Sequence, residues 1–275
     1  SFDIKSRKTR KMEVPLDEGG YIPRLTTTSD PTTVAVFTMN RHQDDMRIYM
    51  VNPLTTIAKL AVQDKVEKYV KQEAMCAVTF TDNHILVPSD RDGFTHLYLY
   101  TLNGQLKRRV TKGNFEVTDV YGMDEKTGDV YYAANCIGPQ DKQVYVSHAN
   151  GKTERLTGKE GQNDAVFSKG FRYFINVWND INNPSVYTLN DNRGRLLRTM
   201  IDNKALKQKY DSYGFGTKEL FSFTTSEGVK RMDGEAFRFQ SFKTISRHHV
   251  SVWRTGKSAS SELMGHWCCT TGGHT

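Results

Sequence analysis

The chain alternates polar and apolar residues over short stretches, and Thr95–Asn114 shows the pattern most completely. Across His96–Tyr100 the alternation predicts a strand with one buried face and one wet face. The Asn103-Gly104 pair that follows is typical of a tight hairpin turn, because both residues tolerate a positive φ. A second strand is predicted over Gln105–Val110, so this stretch is a β-hairpin.

The same hairpin recurs along the chain. Each unit has a strand, a polar loop, a Tyr-bearing strand, a tight turn and a charged outer strand. The predicted strands are Val34–Met39, Met46–Val51, Ile85–Pro88, Thr95–Leu102, Gln105–Val110, Val130–Ala134, Gln143–Ser147, Thr153–Leu156, Phe171–Trp178, Ser185–Leu189 and Arg195–Met200.

One tyrosine marks the same place in each unit. Tyr49, Tyr98, Tyr145 and Tyr187 are separated by 42 to 49 residues, close to the repeat of a four-stranded propeller blade. A single such sheet cannot bury both faces, so neighbouring sheets must stack. A β-sandwich would also use hairpins, but it would not repeat one tyrosine at a constant place.

The predicted fold is therefore all-β, a partial β-propeller of about four and a half four-stranded blades. The chain opens in the second half of a unit, which favours a larger ring whose first blades are missing. After Asn203 the pattern changes: Lys204–Tyr210 is predicted to form one or two helical turns and Leu220–Thr225 a strand. The predicted domains are residues 1–203 (partial propeller), 204–230 (linker and first strands of another domain) and 231–275 (tail).

Charge and composition exclude several classes of protein. The net charge is +7, of which residues 231–275 carry +3, from six Lys/Arg and three Asp/Glu. No basic stripe with interleaved aromatic residues is present, so nucleic-acid binding is not indicated. Lys107-Arg108-Arg109 is interpreted as the solvated face of an outer strand. No apolar run approaches the ~20 residues of a membrane span.

The stretch DNHILVPSDRDGFTHLYLYTLNGQLKRRVTKGNFEVTDVYG at residues 82–122 closely resembles the propeller of dipeptidyl peptidase IV-like serine peptidases. These belong to the prolyl oligopeptidase superfamily, and the likeness is strongest to the Bacteroidetes-type members. Its most specific run is Ser89–Phe94, followed by His96-Leu97-Tyr98 and Thr111-Lys112-Gly113. The resemblance covers about residues 1–230.

The resemblance implies an eight-bladed propeller that caps an α/β-hydrolase with a Ser-Asp-His triad. The intact enzyme would remove dipeptides after a penultimate Pro or Ala, would need no cofactor, would often form homodimers and would lie in the periplasm or cell envelope. The family's Glu pair, which holds the substrate's amino terminus, has no counterpart here. The Gly-x-Ser-x-Gly nucleophile turn is also absent. No catalytic or metal-binding residue is therefore assigned, the substrate-binding residues stay unidentified, and the chain alone is expected to be inactive.

The tail from about Arg231 departs from this resemblance abruptly. Reverse translation with suitable third bases, read one base later, can give a sequence that resembles the start of the family's hydrolase domain, including a Tyr-Gly-Gly-Pro-Gly stretch. We therefore expect residues 231–275 to be an out-of-frame, poorly structured translation.

Other candidate residues have ordinary structural interpretations. His248-His249 could act as base or ligand, and His266, Cys268, Cys269 and His274 could suggest zinc, but adjacent cysteines suit one tetrahedral ion badly. Asp90, Arg91 and Asp92 lie in a loop that could contact substrate, although such residues more often cap turns. Trp178, Cys76 and Cys136 are predicted as core residues, and Trp267 as part of the tail.

A second class of function stays open from the sequence. A non-enzymatic β-propeller could use its loop face to bind a protein or a glycan. The half unit at the start and the hydrolase-like entry at Leu220–Val229 speak against this alternative.

Overall fold

The computed structural model describes residues 1–214, 217–224, 226, 228, 230–238 and 251–252. In these residues the chain forms four four-stranded sheets, one three-stranded sheet and one two-stranded sheet. Contacts between residues divide the chain into two compact units. The first consists of residues 1–132 and 146–154, and the second of residues 133–145 and 155–275.

Each four-stranded sheet follows the order of the chain, so strands adjacent in sequence are adjacent in the sheet. The N-terminal hairpin pairs β1 (Phe2–Asp3) with β2 (Lys8–Thr9). The first four-stranded sheet comprises β3 (Tyr21–Thr27), β4 (Val34–Met39), β5 (Asp45–Val51) and β6 (Ala58–Lys65). The second comprises β7 (Thr79–Phe80), β8 (His84–Ser89), β9 (His96–Thr101) and β10 (Leu106–Arg109).

Two more four-stranded sheets continue the series. The third comprises β11 (Val117–Asp124), β12 (Asp129–Ala134), β13 (Gln143–Ser147) and β14 (Thr153–Arg155). The fourth comprises β15 (Gln162–Phe167), β16 (Tyr173–Asp180), β17 (Asn183–Asp191) and β18 (Leu196–Ile201). The three-stranded sheet comprises β19 (Thr217–Thr224), β20 (Lys230–Arg238) and β21 (Ser251–Val252).

The four marker tyrosines all lie on the third strand of a four-stranded sheet. Tyr49 and Tyr98 pair across to a valine on the second strand, and so does Tyr187; these valines are Val36, Val87 and Val177. A four-stranded antiparallel meander repeated in this way is the blade of a β-propeller. The prediction of an all-β, partial β-propeller is confirmed.

The sequence predicted the central strands well and missed the first strand of each sheet. β4 and β13 have the predicted bounds, and both are almost fully buried. β3 is largely exposed and carries Pro23 at a register shift, while β7 has only two residues. Such strands lack the clean alternation on which the prediction rests.

The hairpin turns differ in detail from the prediction. Gly104 has φ +88°, whereas Asn103 does not have a positive φ, and the amide of Gly104 donates to the carbonyl of Thr101 at 3.0 Å. The loop is therefore a type I turn followed by a left-handed glycine, rather than a two-residue turn. Gly151 and Gly194 close equivalent loops in the third and fourth sheets.

The core of the first unit lies between its first two four-stranded sheets. Phe37, Met46, Ile48, Ile85 and Val87 are fully buried there. Each such side chain contributes roughly 1.5–3 kcal/mol of hydrophobic stabilisation. A short helix that the sequence did not predict, α1 (Gln72–Cys76), adds buried Ala74 and Met75.

In the second unit, the ring of Phe174 is buried and stacks on Phe167 at a centroid distance of 5.0 Å. The predicted helical turns are confirmed as α2 (Lys204–Ser212), which has no buried residue. β20 occupies the first part of the predicted tail. Most of residues 239–275 lie outside the described residues, so the prediction of a poorly structured tail is not tested. None of the described helices has the length and apolarity to cross a membrane.

Candidate functional site

The segment from the last residue of β8 to the residue before β9, residues 89–95, carries the predicted substrate-contact candidates Asp90, Arg91 and Asp92. Gly93 has φ +89° and its amide donates to the carbonyl of Asp90 at 2.9 Å, so the loop reverses direction tightly. Each of the three charged side chains faces a different partner within the first unit. We call these seven residues the 89–95 loop.

Arg91 binds a buried carboxylate. Its guanidinium lies 2.8 Å from Oδ1 of Asp64 on β6, and Ser89 Oγ donates to the same oxygen at 2.6 Å. Burial raises the pKa of Asp64, although Ser89 and Arg91 act against this shift. Arg91 also donates to the hydroxyl of Tyr100 at 2.8 Å and stacks over Tyr98 at 4.3 Å from the ring centroid.

Asp92 joins the loop to the outer strand of the same sheet. It accepts a hydrogen bond from the hydroxyl of Tyr98 and forms an ion pair with Arg109 at 2.6 Å. Burial and this hydrogen bond raise the pKa of Tyr98. The marker tyrosine of the second sheet is therefore neutral at physiological pH and donates to a carboxylate.

Asp90 belongs to a third cluster. Lys71, which precedes α1, lies 2.9 Å from Asp90 Oδ2 and 3.1 Å from Oε1 of Glu116, and it donates to Thr95 Oγ1 at 3.2 Å. Burial disfavours the charged ammonium, but hydrogen bonds and charge from Asp90 and Glu116 outweigh it and raise the pKa of Lys71.

The arrangement is a fixed, internally neutralised surface. The charged side chains of Asp90, Arg91 and Asp92 are each held by an ion pair within the chain. Charge-assisted hydrogen bonds of this kind restrict a loop more than neutral ones do. In the described part of the chain, no group of three or more His, Cys, Asp or Glu residues is placed to hold a metal ion.

The other candidates are placed as follows. Trp178 is half-buried at the edge of a cavity in the second unit. The prediction that Cys76 and Cys136 are core residues is wrong, because both are exposed, one at the end of α1 and one in the loop after β12. The remaining candidates lie outside the described residues: His248, His249, His266, Trp267, Cys268, Cys269 and His274.

Sequence reasoning missed three residues that hold the 89–95 loop. Asp64 lies 27 residues from Arg91, Lys71 lies 19 residues from Asp90, and Glu116 lies 45 residues from Lys71, so no local motif connects them. No strand was predicted around Asp64, which the structure places on β6 with an exposure of 1%. A buried acid of this kind needs a partner.

Comparison with known proteins agrees with the fold. The structure is similar to the crystal structure of Porphyromonas gingivalis dipeptidyl peptidase 4, with a TM-score of 0.80, 34% identity and coverage of 86% of this chain and 33% of that chain. A putative dipeptidyl aminopeptidase IV from Bacteroides ovatus shares the fold, with a TM-score of 0.68 and 18% identity over 86% of this chain and 36% of that chain.

The same relationship appears in sequence. A probable dipeptidyl peptidase 4 of Emericella nidulans is 26% identical over 216 residues, which are 74% of this chain and 28% of that protein. Dipeptidyl peptidase 4 of Arthroderma otae is 29% identical over 189 residues, or 65% of this chain and 24% of that protein. The chain thus spans about a third or less of the length of these relatives.

Sheets of this form, repeated along the chain, define a β-propeller protein. The family model for the dipeptidyl peptidase IV (DPP IV) N-terminal region matches residues 2–185. The chain belongs to this family.

Proposed function

We propose that this chain forms part of the propeller domain of a DPP IV-type serine peptidase. In that enzyme the propeller would gate the path of peptides to a hydrolase domain and help to bind them. The proposed substrates are peptides with a penultimate Pro or Ala, cleaved by acyl transfer through a serine of the hydrolase domain. The observation that carries the proposal is the 34% identity with Porphyromonas gingivalis dipeptidyl peptidase 4 over 86% of the chain.

The paired charges of the 89–95 loop support a gating role. A gate must keep its shape while peptides of different sequence pass, and loops fixed by ion pairs keep their shape. Since these charges already have partners in the chain, the loop suits selection by size better than attraction of one charged residue.

The sequence contains no Gly-x-Ser-x-Gly turn, so we expect the chain alone to be inactive. The purified chain should not hydrolyse a Gly-Pro or Ala-Pro chromogenic dipeptide substrate, whereas an intact DPP IV enzyme assayed in parallel should. If the chain alone hydrolyses the substrate and a serine-directed inhibitor abolishes this hydrolysis, the expectation that the chain alone is inactive is wrong.

We also propose the domain division of the chain. Residues 1–203 form the partial propeller, residues 204–230 lead towards the hydrolase domain, and residues 231–275 are an out-of-frame translation of its start. Sequencing the gene around codon 231 tests the last point. If no single-base shift opens a hydrolase reading frame, the tail is native and this part of the proposal is wrong.

The gating role is tested in the intact enzyme that such a reading frame would encode. Arg109→Met removes the ion pair with Asp92 and loosens the 89–95 loop. We expect kcat/KM to change for long peptides and to stay constant for the chromogenic dipeptide; equal changes for both substrates would contradict gating. An envelope location and a homodimer for that enzyme are part of the same proposal, and cell fractionation and sedimentation would test them.

A further inference from the structure

Two hairpin turns of the chain contain an Asn-Gly pair, Asn103-Gly104 in the second sheet and Asn150-Gly151 in the third, and both asparagines are exposed. In such a pair the amide nitrogen of the glycine can attack the side-chain carbonyl carbon of the asparagine. Glycine hinders this attack least, because it has no Cβ and adopts many backbone conformations. The surroundings of each asparagine side chain then decide how fast it reacts.

The backbones of the two turns are equivalent. The glycine has φ +88° at position 104 and +86° at position 151. Its amide donates to the carbonyl of the residue three positions earlier in both turns, Thr101 at 3.0 Å and His148 at 2.9 Å. The attacking nitrogen is therefore held in the same way in both, and a difference in reactivity must come from the asparagine side chains.

The side chain of Asn150 is held by a hydrogen bond, whereas that of Asn103 is not. The amide of Lys152 donates to Asn150 Oδ1 at 2.9 Å. At the equivalent place in the second sheet, the amide of Gln105 donates instead to Oγ1 of Thr101 at 3.2 Å. Among the described residues, no hydrogen-bond partner holds the side chain of Asn103. Thr101 thus takes the donor that would otherwise fix this asparagine.

We propose that Asn103 is a site of spontaneous deamidation and that it reacts faster than Asn150. The nitrogen of Gly104 forms a bond to Cγ of Asn103 and loses its proton, and the side-chain amide leaves as ammonia. Water then opens the resulting succinimide ring at either carbonyl, which gives aspartate or isoaspartate. Asn150 must first give up its hydrogen bond with Lys152 to rotate into the same position, whereas Asn103 gives up none.

Isoaspartate at position 103 disturbs the packing of this turn against the first sheet. It inserts one methylene group into the main chain directly before Gly104. A Cβ at Gly104 would lie 2.4 Å from the carbonyl oxygen of Ala61 on β6, so the turn has no room there for a displaced backbone. A Cβ at Gly151 would meet nothing within 4 Å. Deamidation of Asn103 therefore lowers the stability of the chain as it ages.

Incubation of the full chain at mildly alkaline pH, followed by tryptic peptide mapping, tests the proposal. Residues 92–107 and 143–152 form separate tryptic peptides, and each contains one Asn-Gly pair and no other asparagine. We expect the mass increase of deamidation to appear about three- to tenfold faster in the peptide of Asn103, the factor that one ordinary hydrogen bond contributes. In guanidinium chloride the two rates should become similar, because glycine follows the asparagine in both. Equal rates in the folded chain, or an unchanged ratio after unfolding, would overturn the proposal.

Thr101→Val tests the cause of the difference. It removes Oγ1 and frees the amide of Gln105 to donate to Asn103, as the amide of Lys152 donates to Asn150. We expect deamidation of Asn103 to slow towards the rate of Asn150. The matched control is Thr101→Ser, which keeps the hydroxyl and should keep the parent's rate. An unchanged rate in Thr101→Val would contradict the role given to this hydrogen bond.

The effect on stability is measured on the aged chain. Asn103→Asp carries the charge of the product on a normal backbone, so it is the control for isoaspartate. We expect the isoaspartate form, separated by ion-exchange chromatography, to unfold at a lower denaturant concentration than Asn103→Asp. Equal unfolding midpoints would show that the longer backbone does not disturb the contact with Ala61, and would overturn this part of the proposal.

Discussion

At the scale of single residues, the first residue of the third strand makes the same two hydrogen bonds in the second sheet and in the third. His96 is fully buried, with Nδ1 3.1 Å from Thr111 Oγ1 and Nε2 3.0 Å from the carbonyl of Gly113. Gln143, also fully buried, accepts from Thr157 and donates to the carbonyl two residues beyond it, at 2.7 and 2.9 Å. Two different side chains, a histidine and a glutamine, thus make equivalent hydrogen bonds at the same place in two sheets.

This equivalence predicts that His96→Gln is tolerated and that it removes a pH dependence. Burial lowers the pKa of His96 in the folded chain, so the unfolded chain binds a proton first as the pH falls through about 6.5. The folded state therefore loses stability from about pH 7 downward, until the pH reaches the folded-state pKa. Urea unfolding at pH 7.5 and 5.5 should show a smaller loss of stability for His96→Gln than for the parent.

The control is His96→Ala, which leaves a cavity and unpaired polar groups. It should cost about 2–4 kcal/mol at both pH values. An unchanged pH dependence in His96→Gln would show that His96 does not titrate differently in the folded and unfolded chains.

Gly104 is required for a second reason besides its positive φ. A Cβ at this position would lie 2.4 Å from the carbonyl oxygen of Ala61, whereas one at Gly151 would meet nothing within 4 Å. The two glycines have nearly the same φ, +88° and +86°. Gly151→Ala is therefore a matched control that carries the backbone strain without the collision.

We expect Gly151→Ala to destabilise the chain by about 1–2 kcal/mol, the cost of a left-handed residue with a Cβ. Gly104→Ala should cost about 1–3 kcal/mol more, because the strand of Ala61 must move to admit the methyl group. Chemical denaturation of the two variants measures the difference. If Gly104→Ala and Gly151→Ala destabilise the chain equally, the close approach of residue 104 to Ala61 does not add to the loss of stability.

At the scale of elements, the outer strand β10 is less solvated than its sequence indicates. The interpretation of Lys107-Arg108-Arg109 as a solvated face is wrong for Arg108. Its guanidinium donates to the carbonyls of Gly128 and His148 at 3.2 and 3.1 Å, and burial lowers its pKa. One side chain therefore joins β10 to Gly128 and His148, which belong to the same unit.

Arg108→Met should lower the free energy of unfolding by about 1–3 kcal/mol, since it removes two charge-assisted hydrogen bonds to partly buried carbonyls. Lys112→Met removes one positive charge at an exposed position nearby and should change stability by less than about 0.5 kcal/mol. If both substitutions lower the free energy of unfolding by the same small amount, Arg108 behaves as a solvated residue and the contacts described here do not stabilise the chain.

The elements also show what the sequence could and could not predict. Tyr49 and Tyr98 mark strands with strong alternation, so their strands were predicted to within a residue or two. The prediction of a wet face over His96–Tyr100 is wrong, because all five of these residues are at most 6% exposed. β3 and β7 were missed because exposure and shortness remove the pattern. The partners of the 89–95 loop were missed for another reason: Lys71 and Asp64 reach it through folding alone, across 19 to 27 residues of sequence.

At the scale of the whole molecule, the fourth sheet has an exposed apolar edge. Among the described strands, β18 pairs only with β17, and Leu196, Leu197, Met200 and Ile201 are each at least half exposed. An exposed apolar edge strand is a template for pairing with another chain. The chain is therefore expected to self-associate as its concentration rises.

Met200→Lys should reduce that self-association, as measured by light scattering over a concentration series. Leu54→Lys adds the same charge at a comparably exposed apolar residue in a loop of the first unit, so it controls for net charge. If both lysines reduce scattering equally, repulsion between whole molecules explains the effect and the edge of β18 does not.

The exposed thiols of Cys76 and Cys136 have a practical consequence for spectroscopy. One belongs to each of the two compact units, and both are free. After replacement of Cys268 and Cys269 by serine, the two natural cysteines serve as attachment points for spin labels or dyes, and no new cysteine has to be introduced. Distance distributions between such labels would report directly on whether the two units move as one body.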